Sequence, residues 1–224
     1  MKTSQAGVML VELAIAVLVM GVVGLVSFSL LSGSRRAQDE AAAGNALMVA
    51  EQAVRTFVLR EKRLPCPDAA GSGYEAKDAD GRCPAGVVVG GLPFASLQIE
   101  KPPGDGEIRY GVLRGPLADL ARPADLPATL FDSDGSARFL AALFKAQEGT
   151  PGSLQPYVAA IAEADANTDC SGVSSNPAFL LMVSRTPQPS VNPNCFFDDP
   201  SKGDKVLAVG RLELLGWVHP RLAD

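Results

Sequence analysis

Few residues in this chain have types and spacings suited to chemistry. Glu12 is the only charge in the 24-residue run from Val8 to Leu31. A carboxylate in such a run needs a cation beside it or a route to a polar surface, so its chemistry is ionic pairing. The dipole at a helix start, which favours an anion, is the plainer reading of the same residue. The four cysteines, at 66, 83, 170 and 195, allow three pairings. Cys66–Cys83 and Cys170–Cys195 are favoured because each closes a short loop flanked by turn residues. No C-x-x-C pair is present and His219 is the sole histidine, which disfavours zinc. Asp78-Ala79-Asp80-Gly81 and Asp132-Ser133-Asp134-Gly135 hint at calcium, but neither continues into a twelve-residue loop ending in glutamate. Asp-Gly pairs more often make plain turns. A serine triad would have to use His219, and nothing in the sequence places a serine or carboxylate beside it. There is no G-x-S-x-G, H-E-x-x-H or phosphate-loop motif. The expectation is no enzyme activity, no cofactor and no metal.

The elements that must position these residues begin with the apolar run. As a helix, Val8 to Leu31 would be roughly 36 Å long at about 1.5 Å per residue, enough to cross a bilayer core of about 30 Å. Its apolar stretch is too long for an ordinary secretory signal, whose apolar part is about 7–15 residues. Beyond Ser32-Gly33-Ser34, the positions Ala43, Leu47, Ala50, Val54 and Phe57 follow a 4-3-4-3 helix spacing. No proline occurs before Pro65. The reading is one helix from about residue 8 to 60, apolar in its first half and amphipathic in its second, ended by Pro65 and Pro67.

The start of the chain resembles the class III signal of type IV pilins and type II secretion pseudopilins. The residues that carry the resemblance are the short polar leader Met1–Ala6, Gly7, the apolar run from Val8, and Glu12 five residues after the glycine within Leu10-Val11-Glu12-Leu13. Two features depart from that pattern: Val8 stands where Phe is usual, and the apolar helix lacks the proline of many major pilins. The resemblance implies cleavage after Gly7 by a prepilin peptidase and N-methylation of Val8. It also implies pairing of Glu12 with a neighbouring subunit's N-terminus during assembly. Leu64-Pro65-Cys66-Pro67, after the helix, is similar to a run found in some pilin-like proteins. The implied fold class is α+β and pilin-like: a long N-terminal helix packed on a small, largely antiparallel sheet with extra short helices. The implied domains are a leader at 1–7, a transmembrane and assembly half-helix at 8–31, an amphipathic half-helix at 32–62 and a periplasmic globular domain at 63–224.

Within that domain, residues 69–86 form a loop rich in glycine and aspartate. Val87–Val89 suggest a short strand, followed by a docking loop. Glu107–Leu113 alternate as a half-buried strand. Ser136–Lys145 suggest a helix with Phe139, Leu140, Leu143 and Phe144 on one face. Ser153 is placed to cap a short helix carrying Leu154, Tyr157, Val158 and Ile161. Phe179–Val183 are a buried strand, Thr186–Pro200 a loop, and Lys205–Val209 and Leu212–Val218 strands or a strand and a short helix.

Composition narrows the function classes. The chain has 224 residues with a net charge of −5 and few aromatics. No basic run exceeds Arg35-Arg36, so neither a phosphate-binding stripe nor a base-stacking platform is indicated, and no nucleic-acid partner is expected. Lys2 before the apolar run and Arg35-Arg36 after it leave the flanking charge nearly balanced. The paired cysteines point to an oxidising compartment. With the resemblance, they imply a single-pass inner-membrane protein with its C-terminal domain in the periplasm. The implied partners are prepilin peptidase, other pilin or pseudopilin subunits and the inner membrane. The implied function is that of a minor, structural assembly subunit. The alternative is a single-span protein with a periplasmic ligand-binding or enzymatic domain.

Overall fold

The computed structural model describes residues 6–101, 107–122, 135–159, 170, 172–184, 192–198 and 204–218. Within the first helix, side chains are described at 13–23, 38, 40 and from 41 on. The chain divides into two compact units, residues 1–42 and 43–224.

Helix α1 spans Ala6–Glu61. Lys62 stops it by turning into the left-handed region at φ 53°, its N–H still bonded to the Val58 carbonyl at 2.9 Å. Pro65 and Pro67 then bar any continuation. In the second unit the face predicted by the 4-3-4-3 spacing is the buried one: Ala43, Leu47, Ala50, Val54 and Phe57, with Ala53 and Val58 beside them.

The expected pilin-like architecture is corrected at its N-terminal helix. Among the described residues, no helix is long and apolar enough to cross a membrane. The fold is α+β with an antiparallel sheet, and the membrane-spanning half-helix expected at 8–31 is not found among the described residues.

The main sheet has four strands in the order β1-β2-β5-β7, all antiparallel: β1 (Val89–Gly91), β2 (Glu107–Val112), β5 (Phe179–Ser184) and β7 (Lys205–Val209). Register pairs Tyr110 with Leu181, Val112 with Phe179, and Leu181 with Leu207. Ile108, Tyr110, Val112, Phe179, Leu181 and Val183 share one core with the buried face of α1. On the opposite face Leu180 and Met182 pack with Phe196. β5 is thus covered on both sides, which is why its sequence is an unbroken apolar run rather than an alternation.

The cover on that second face is a small three-stranded sheet in the order β4-β3-β6: β3 (Tyr157–Ala159), β4 (Val173–Ser175) and β6 (Cys195–Phe196). β3 pairs antiparallel with β4 and parallel with β6. Three helices complete the fold: α2 (Phe94–Leu97), α3 (Ser136–Gln147) and α4 (Arg211–Val218).

Three local expectations change. The buried face of α3 is Phe139, Ala142, Leu143 and Ala146, an i, i+3, i+4, i+7 set, while Phe144 is exposed. The helix expected from Ser153 is a turn leading into β3, with Leu154 in solvent. The buried Asn176 side chain holds that turn. Its Oδ1 accepts the Gly152 N–H at 2.7 Å, and its Nδ2 donates to the carbonyls of Gly152 (3.0 Å) and Pro156 (2.9 Å). Ile161 lies outside the described residues. β6 occupies part of the segment read as loop, and Leu212–Val218 belong to α4.

Candidate functional site

Gly7, Val8 and Glu12 all lie on α1, which starts at Ala6. Their side chains, and with them any partner of Glu12, lie outside the described residues.

Both expected disulfides are present. Cys66–Cys83 has a Cα–Cα distance of 5.5 Å and Cys170–Cys195 one of 5.8 Å. They secure different parts of the domain. Cys170–Cys195 ties β6 to the segment before β4, and the Tyr157 hydroxyl donates to the Cys170 carbonyl at 2.9 Å. Cys66–Cys83 closes the loop after α1.

Two arginines hold that loop. Arg63 makes a two-pronged contact with Glu75, at 2.6 and 2.9 Å, and stacks over Phe57 with its guanidinium 4.9 Å from the ring centre. Glu75 Oε1 also accepts the Cys66 N–H at 2.7 Å. Burial pushes the Glu75 carboxyl up, but the Arg63 bonds and charge, with the Cys66 N–H, outweigh it and hold the carboxyl below its ordinary value. Arg114, 4% exposed, donates through Nε and Nη2 to Asp119. Its Nη1 donates to the carbonyls of Pro84 (2.5 Å) and Val87 (2.9 Å), and Nη2 reaches that of Cys83 (3.3 Å). One side chain therefore ties the end of β2 to the far end of the disulfide loop.

Between the end of α1, this loop and the start of α3 is a cavity of about 280 Å³. Its wall includes both sulfur-bridged cysteines and six basic residues: Lys62, Arg63, Lys77, Arg82, Arg122 and Arg138. Glu61 and Glu75 are the acidic residues described in it. The basic residues come from separate segments, so no basic run in the sequence announced them. Arg63, Glu75, Arg114 and Asn176 were missed for the same reason, since they bond groups 12 to 31 residues away; Asp119, five residues from Arg114, lies in a stretch read as irregular. Only the arginine adjoining Leu64-Pro65-Cys66-Pro67 offered a signal.

The calcium reading is not supported at residues 78–81. Asp78 Oδ1 accepts the N–H groups of Asp80 and Arg82, so its carboxylate serves its own turn. Among the described residues no group of three or more His, Cys, Asp or Glu side chains is arranged to hold a metal. Asp198 accepts the Val206 N–H. Asp132, Asp134, Asp199 and His219 lie outside the described residues. Comparison with known proteins finds no matching family model, no similar curated protein and no similar solved structure.

Proposed function

We propose that this chain is a minor pilin-like or pseudopilin-like subunit of a type IV pilus or type II secretion system. A prepilin peptidase processes it after Gly7, and it assembles with related subunits through its N-terminal helix. The observation that carries this reading is the register of Gly7, the apolar run from Val8 and Glu12 in the sequence. Two disulfides support placing the folded domain in an oxidising compartment, the periplasm of a cell with an inner membrane. Glu12 would then pair with a neighbour's terminal amine among packed helices, where attraction between opposite charges strengthens as water is excluded.

The test is the mass of the mature chain from a host with an active prepilin peptidase. It should lack the first seven residues and carry one methyl on Val8. An uncut chain beside an active peptidase refutes the reading. Glu12→Val should leave cleavage and the folded domain intact while reducing co-purification with partner subunits.

A further inference from the structure

We infer that the cavity between the end of α1 and the Cys66–Cys83 loop is a binding site for a small oxyanion with two or more negative charges. Six of the chain's 20 lysines and arginines stand among the cavity's 14 lining residues, where an even spread would put about one. This occurs in a chain whose net charge is −5, so the concentration runs against the overall balance. Arg63 is neutralised by Glu75. Lys62, Lys77 and Arg82 are different: among the described residues none of them makes an ion pair, although Lys77 is near enough to Glu75 to help hold its carboxyl down. Like charges gathered around one concavity repel, and an anion bound between them removes that cost.

Lys62 adds an independent observation. It adopts φ 53° just beyond the end of α1, a conformation that glycine takes freely and other residues take only under strain. A lysine at this position keeps a cation on the cavity wall despite the backbone strain. The wall is also firmly built: the disulfide, the Arg63–Glu75 pair and the Arg114 fork all fix the loop that carries Lys77 and Arg82. Phosphate and carboxylate groups share the required chemistry.

The experiment titrates the full chain, in the detergent that keeps it monodisperse, with sodium pyrophosphate and separately with citrate. Sodium chloride at matched ionic strength is the reference, read by thermal midpoint and calorimetry. The expected result is a saturable rise in midpoint with at least one of the two anions, beyond the chloride reference. Which anion binds identifies the phosphate or the carboxylate source. The triple variant Lys62→Gln, Lys77→Gln, Arg82→Gln should bind at least tenfold more weakly. Lys77→Arg, which keeps the charge, and Lys145→Gln, on the exposed side of α3, should bind as the parent does. If the triple variant does not fold, single Lys77→Gln and Arg82→Gln variants should each weaken binding, and parent-like affinity in both overturns the inference. A response no larger than chloride gives, or one equal in the triple variant, likewise overturns it.

Discussion

Arg114 is a small number of atoms with a large structural reach. It satisfies the Asp119 carboxylate and carbonyls of Cys83, Pro84 and Val87, drawn from a segment about thirty residues earlier. Arg114→Met would keep the length of the side chain and remove every donor. Asp119 is 23% exposed and keeps the Ala121 and Arg122 N–H groups, so the loss on denaturant unfolding should fall below that of a fully buried pair, at about 2–3 kcal/mol. Arg114→Lys should recover only part of it, since one ammonium cannot reproduce the planar fork. Glu75 gives a pH signature. Its carboxyl is held below the ordinary glutamate range, so its contribution is complete above that range, about pH 4.3. The contribution is lost as pH falls through the folded value. The stability gap between the parent and Glu75→Gln should therefore be open at pH 7 and narrow steadily below about pH 4. A gap independent of pH would place the stabilisation elsewhere.

At the level of elements, the contact between the two sheets depends on Gly111. A Cβ there would come within 2.8 Å of Pro156 Cβ and 2.9 Å of the Phe196 ring, so no side chain fits while the small sheet lies on β2. Gly111→Ala should destabilise the domain by about 1–3 kcal/mol, the usual cost of overpacking. Chemical denaturation measures that cost, and parent-like stability would mean the layers separate easily. The same contact explains what was legible in the sequence. The second half of α1 could be read from its 4-3-4-3 spacing, β2 from alternation and β5 from its apolar run, because each pattern repeats over several residues. β3, β4 and β6 are two or three residues long, too short for any period to show. They are held by Asn176, a disulfide and Phe196 packing on β5, all contacts made at long range. The site was less legible still. The cysteine pairing could be read from loop length and turn residues, but the basic cavity exists only once four stretches, at 61–66, 75–83, 121–122 and 135–138, meet.

For the molecule as a whole, the two disulfides should be close in energy and unequal in function. They close loops with sequence separations of 17 and 25, for which chain-entropy arguments give about 3 kcal/mol each, differing by only a few tenths. Stability alone would hardly tell them apart. Their positions do: Cys66 and Cys83 form part of the basic cavity's wall, and the loop between them carries Glu75, Lys77 and Arg82, whereas Cys170–Cys195 secures the small sheet over β5. Without the first bond, Arg63, Arg114 and the hydrogen bonds around Asp68 and Ser96 still hold the first half of the loop, but its far half, which carries Arg82, is less firmly placed around the cavity. The paired variant Cys66→Ser, Cys83→Ser should therefore lose about 3 kcal/mol and also the response to pyrophosphate or citrate. Cys170→Ser, Cys195→Ser should lose a similar amount of stability while the anion response persists. The measurement is the thermal midpoint of each full-length variant with and without anion, together with calorimetric titration at a temperature where both remain folded. Equal retention of the anion response in the two variants would mean that the loop's hydrogen bonds and ion pairs suffice to hold it. Equal loss would mean that the cavity depends on the integrity of the whole domain rather than on its own wall.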